Sequence, residues 1–156
     1  MKVIALTSSL LCLASCTRTS LWSLHQIKAA ERDFDSSRLT YHTDKTNAID
    51  LEFLAVKNQL FTYLQVHAHP LKDKEVSVTL IVAGEKTFFA AYPHQGGQRL
   101  SITKEFQEKI ISLLKANQRF SLEVCGYQTE IHPQKFLELF KKLEEGPSFL
   151  NAIQLS

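Results

Sequence analysis

From Ile49 onward apolar and polar residues alternate. Ile49, Leu51, Phe53 and Ala55 share one parity, and Leu60, Thr62, Leu64, Val66 and Ala68 share one in the next run, with Lys57-Asn58 between them. A period of two belongs to half-buried strands, so the pattern predicts two strands and a tight turn. With Lys57-Asn58 as the turn, Ala55 faces Leu60, Phe53 faces Thr62, Leu51 faces Leu64 and Ile49 faces Val66. The apolar faces then coincide, whereas a one-residue slip would put one of them in water.

A second hairpin is expected beyond the break at His69-Pro70-Leu71-Lys72-Asp73-Lys74. Val76, Val78, Leu80 and Val82 run up to Gly84-Glu85, and Phe88, Phe89, Ala90, Ala91 and Tyr92 return. Glycine first in a two-residue turn suits type II′, and strands apolar on both faces belong inside a sheet. After a loop at Gln95-Gly96-Gly97-Gln98, the spacing of Phe106, Ile110, Leu113 and Leu114 predicts a helix from Lys104 to Lys115 with Thr103 as its N-cap. Phe120, Leu122 and Val124, then Thr129 and Ile131 around a turn at Gly126-Tyr127, make a third hairpin. Pro133 opens a last helix bearing Phe136, Leu139, Phe140 and Leu143, which Gly146-Pro147 ends. The order ββββ-α-ββ-α predicts an α+β domain, either one antiparallel sheet covered by helices or a small sandwich.

The amino terminus reads differently. Lys2 precedes an apolar stretch over residues 3–13, broken only by Thr7, Ser8 and Ser9 and followed by the small residues Ala14 and Ser15. This has the layout of a signal peptide and is too short for a hydrocarbon core that needs ~20 helical residues. The quartet Leu13-Ala14-Ser15-Cys16 resembles the lipobox of bacterial lipoproteins. That resemblance, confined to residues 1–16, implies a diacylglyceryl group on the Cys16 thiol, cleavage just before it, and in many Gram-negative members a further acyl chain on the new amino terminus. Each buried methylene contributes about 0.8 kcal/mol, so two or three chains anchor a protein firmly. By analogy with enteric lipoproteins, where aspartate in the next position holds the protein in the inner membrane, Thr17 favours the outer membrane, facing the periplasm or the surface. A further likeness, to small lipoproteins of chlamydiae, rests on no motif.

Residues 1–15 are thus expected as signal, residues 16–47 as lipidated terminus and tether, and residues 48–156 as one globular domain. Residues 17–47 are polar and mixed in charge, and Leu21, Leu24 and Ile27 would make at most a marginal amphipathic helix, so a spacer is the simpler reading. Composition agrees with one ordinary domain: 156 residues, 44 % hydrophobic and 22 % charged. A net charge of +2 lacks the basic field that nucleic-acid binding usually needs, so the partners expected are the membrane and an envelope protein or glycan. Once Cys12 leaves with the signal and Cys16 is acylated, Cys125 remains alone, with no intrachain disulfide; the expectation for it is a small packing residue in a strand.

Two constellations carry candidate chemistry. His67 and His69 leave one face of a strand and can share a metal ion, with Asp50 opposite Gln65 and diagonal to His67 as an oxygen ligand. The plainer alternative is a wet strand face. On the third hairpin, with Gly126-Tyr127 as the turn, Cys125 faces Gln128, Glu123 faces Glu130 and Ser121 faces His132. Opposed carboxylates repel, so Glu123, Glu130 and His132 are candidates for proton transfer or cation binding, unless lysines such as Lys135 neutralise solvated acids. Cys125 with His132 or His94 is a further nucleophile–base pairing, but no hydrolase signature surrounds it. The chain has no phosphate-cradling glycine loop, nucleophile elbow or zinc helix, and no cofactor is implied. Binding surfaces need no fixed residue spacing, so a non-catalytic envelope lipoprotein is the first expectation and a small metal-binding or hydrolytic envelope protein the alternative.

Overall fold

The alternating residues build one nine-stranded antiparallel sheet with two helices, seen in a computed structural model that describes residues 21–28, 35–43, 48–57, 59–67 and 70–146. The strands are β1 (Trp22–Ile27), β2 (Ser36–Tyr41), β3 (Ile49–Val56), β4 (Gln59–Val66), β5 (Val76–Val82), β6 (Glu85–Pro93), β7 (Arg99–Ile102), β8 (Phe120–Val124) and β9 (Tyr127–Ile131). The helices are α1 (Lys104–Lys115), between β7 and β8, and α2 (Phe136–Glu145), after β9. Across the sheet the order is β1-β2-β3-β4-β7-β6-β5-β8-β9. The α+β class with an antiparallel sheet is therefore as expected, but the order ββββ-α-ββ-α is not: three strands are added, and all nine strands among the described residues join one sheet rather than a sandwich.

Two of the added strands lie in the segment expected to be a tether. In β1 and β2, Trp22 faces Tyr41 and Leu24 faces Leu39. Trp22, Leu39 and Tyr41 are buried, so these two strands contribute to the core. The third is β7, where Leu100 is buried and Ile102 packs on the core; it enters the sheet between β4 and β6.

The β3–β4 register is the expected one, with Ala55 opposite Leu60 and Ile49 opposite Val66. The other two hairpins turn one residue earlier than expected. Val82 pairs with Glu85 around Ala83-Gly84, and Val124 pairs with Tyr127 around Cys125-Gly126. In both turns the two central residues have positive φ, 49° and 87° in the first, 49° and 81° in the second. That is type I′ and not the type II′ expected for Gly84-Glu85; it matches the right-handed twist of the flanking strands.

Helix α1 has the expected bounds, and Thr103 accepts a hydrogen bond from the Phe106 amide at 3.3 Å. Its buried Phe106 stacks on Phe89 of β6 with ring centroids 4.2 Å apart. Helix α2 begins at Phe136, not at Pro133, because Lys135 has φ of 67° and interrupts the helical path. Its Phe136 and Phe140 pack with Trp22 and Phe53 in an aromatic cluster. Both helices thus cover one face of the sheet. The far edge curls toward the amino-terminal strands: Trp22 donates to the His132 carbonyl at 2.7 Å, Tyr41 to the Glu130 carbonyl at 3.0 Å, and the Ile49 amide to Thr129 at 2.7 Å. Among the described residues the opposite face of the sheet carries no helix, and it presents Phe88, 67 % exposed, and Tyr92. No helix among the described residues is long and apolar enough to cross a membrane.

Candidate functional site

Strand β3 lies between β2 and β4, so its helix-free side gathers side chains from three neighbouring strands. Asp50 is the second residue of β3 and stands opposite Gln65 of β4. His67 is one residue beyond β4, diagonal to Asp50, and its amide still bonds the Ala48 carbonyl at 3.3 Å. On the other side, Tyr41 pairs with Leu51, and His42, the next residue, therefore continues the β2–β3 register against Asp50. Side chains at opposed or diagonal positions on one face are within mutual reach.

Both histidines converge on one carboxylate oxygen. His42 Nδ1 and His67 Nε2 each lie 2.8 Å from Asp50 Oδ2, and the rings meet edge to face with centroids 6.2 Å apart. A carboxylate only accepts, so in neutral rings the protons sit on Nδ1 of His42 and Nε2 of His67. Asp50 is 7 % exposed, while both histidines are exposed. The second carboxylate oxygen, Oδ1, is buried without a hydrogen-bond partner among the described residues. Leaving a buried acceptor unpaired costs about 1–3 kcal/mol, and more for a charged one.

The next residue on the same face is the contrast. Glu52 pairs with Arg38 at 3.4 Å and accepts a short hydrogen bond from Arg99. Guanidinium groups carry a permanent charge and fit a carboxylate with several donors. Glu52 thus has fixed cations, whereas the only ion-pair partners of Asp50 among the described residues are two imidazoles, whose charge depends on protonation. Arg99 also lies 3.7 Å over the Tyr63 ring, which meets the His94 ring edge-on at 5.4 Å. Beside them an open cleft of about 470 Å³ runs between β4 and the start of α1, lined by Phe61, Tyr63, His94 and Ser101 among others.

Of the expected metal pair, His67 and its diagonal neighbour Asp50 are brought together, while His69 lies outside the described residues, as does Cys16. The partner that sequence reasoning missed is His42, because residues 16–47 read as a tether; the alternation of Leu39 and Tyr41 with Arg38 and Thr40 was the available signal. The second constellation is not assembled as expected. With the turn at Cys125-Gly126, Glu123 faces Gln128 and Glu130 faces Ser121. Glu123 lies 3.8 Å from Lys86 of β6, and Glu130 lies 3.3 Å from His132. The two carboxylates therefore have separate neighbours, a lysine for Glu123 and an imidazole for Glu130. Cys125 is exposed in the turn rather than packed within a strand.

Comparison with protein-family models, with curated proteins and with solved structures finds no match.

Proposed function

We propose that the protein is a cell-envelope lipoprotein of bacteria, held to the membrane by acyl chains on Cys16, whose folded domain binds or organises an envelope component without catalysis. The observation that carries this reading is the order of residues at the amino terminus: Lys2, a largely apolar stretch over residues 3–13, then Ala14-Ser15-Cys16 completing the lipobox-like quartet that begins at Leu13. Two or three long acyl chains supply the membrane affinity that a single chain does not. Thr17 directs the proposal to the outer membrane. A protein or glycan of the envelope is the partner class that a domain of modest net charge on such an anchor would meet.

The test is metabolic labelling in a bacterial host with a radiolabelled fatty acid. The unaltered chain is expected to take up label and to lose its first fifteen residues, and Cys16→Ala to stay unlabelled and uncleaved. Label on the variant, or none on the unaltered chain, would overturn the assignment.

A further inference from the structure

We infer that His42, Asp50 and His67 form a binding site for a divalent transition-metal ion of the zinc class. The three ligand atoms, one from each residue, lie within 4.8 Å of one another. Two imidazole nitrogens and one carboxylate oxygen are a zinc-type donor set, whereas calcium and magnesium take oxygen ligands almost throughout.

The present geometry is that of the hydrogen-bonded form. Bonds of ~2.0–2.2 Å at tetrahedral angles place neighbouring ligand atoms about 3.3 Å apart. The two nitrogen–oxygen separations are 2.8 Å, so each must open by about half an ångström. Asp50 is fixed inside β3, but His42 and His67 follow the ends of their strands and have exposed side chains. The histidines can therefore yield while the carboxylate stays. Each neutral ring must move its proton to the other nitrogen, because a metal takes the lone pair of the nitrogen that now donates.

Charge argues in the same direction. Asp50 is the buried carboxylate of this face that lacks an arginine, and its Oδ1 has no hydrogen-bond partner among the described residues. A bound dication supplies the missing counter-charge at the place where the imidazoles converge. Among the described residues three ligands converge, which leaves a fourth tetrahedral position for water or a further ligand. The three ligands belong to the folded domain, and their geometry does not depend on a lipid anchor at Cys16.

The experiment is a calorimetric titration of the full chain, purified in detergent and stripped with chelator, with Zn²⁺, followed by Co²⁺ absorption and by ¹⁵N spectra of the histidine rings. One equivalent of Zn²⁺ is expected to bind, Ca²⁺ not to compete, and the ring spectra to show His42 changing from Nδ1–H to Nε2–H. His42→Gln and His67→Gln are each expected to weaken binding at least ~tenfold, the lower end of what losing even an outer-shell partner costs. Both glutamine substitutions fall on exposed side chains, and the ring spectra need no substitution at all. Absence of saturable one-to-one binding, competition by Ca²⁺, an affinity unchanged by either glutamine variant, or unaltered histidine ring signals would overturn the assignment.

Discussion

The Trp22 indole donates a 2.7 Å hydrogen bond to the backbone carbonyl of His132, 110 positions further along the chain. The same ring meets Tyr41 at 5.0 Å and Phe136 at 5.1 Å between centroids, so β1 is tied at once to its neighbour strand and to α2. Burying a tryptophan in such a cluster is worth several kcal/mol, and truncating one typically costs ~3–5 kcal/mol. Trp22→Ala is expected to lower the unfolding free energy by about that amount in urea titration. A chain starting at Ala48 loses β1 and β2, exposes one side of Leu51 and Phe53, and is expected to show no cooperative transition. Since Trp22 is the sole tryptophan, its fluorescence reports directly, with blue-shifted emission and poor quenching by iodide expected for the folded state. Emission like that of free tryptophan would contradict the buried placement.

Tyr41 gives the fold an alkaline limit. Burial holds its phenol above the ordinary value of 10.0; the nearby Glu130 carboxylate adds to the rise, and a hydrogen bond from the His132 backbone opposes it. The folded state then keeps a proton that the unfolded chain has already released. Its contribution to stability is complete below the unfolded value and is lost as pH rises through the raised folded value. Tyr41→Phe is expected to cost about 1 kcal/mol near neutrality, from the lost hydrogen bond to the Glu130 carbonyl. Above about pH 10 its stability should fall less steeply than that of the unaltered chain. Urea midpoints measured from about pH 8 to about pH 12 decide it; parallel curves for the two proteins would contradict this account of Tyr41.

The type I′ turns carry residues ill suited to them. Ala83 and Cys125 each adopt φ of 49°, where a Cβ is unfavourable and asparagine is tolerated far better. Ala83→Asn and Cys125→Asn, each creating an Asn-Gly turn, are expected to stabilise by about 0.5–1 kcal/mol. Chemical denaturation measures this, and unchanged or lowered midpoints in both variants would contradict the turn assignment.

Gly97 is the reverse case. Its φ is 69°, and a Cβ there would sit 2.5 Å from the Leu71 carbonyl oxygen and 2.7 Å from the Leu71 amide nitrogen. The Leu71 amide donates to the Gly97 carbonyl at 2.9 Å, so the loop before β7 and the segment before β5 hold each other. Gly97→Ala is expected to destabilise by roughly 2 kcal/mol or more, through left-handed backbone strain and a backbone clash together. A loss under ~0.5 kcal/mol would be the surface-substitution value and would contradict the close approach.

The parts of the fold legible in the sequence are those where local pattern and local chemistry agree. Thr103 caps a helix whose apolar spacing is undisturbed, and the β3–β4 pairing follows from two alternating runs around a short polar turn. The two misplaced turns share one cause. Moving the turn by one residue shifts the pairing by two, so every side chain keeps its face and the apolar pattern cannot choose between them. Only the turn chemistry decides, and alanine and cysteine at positive φ are not what it favours. Strands β1 and β2 were hidden because their burial comes from distant partners: Trp22 depends on His132 and Phe136, and Tyr41 on Glu130. With β2 unread, His42 had no place, and half of the imidazole pair at Asp50 was invisible even though the Asp50–His67 diagonal was legible.

The membrane anchor is tested most directly by mass spectrometry of the amino-terminal peptide from protein extracted from bacterial membranes. The expected peptide begins at Cys16 and carries the mass of a diacylglyceryl group, with or without a further acyl chain. A peptide that contains an unmodified Cys16, or that begins at any other residue, would contradict the proposed function.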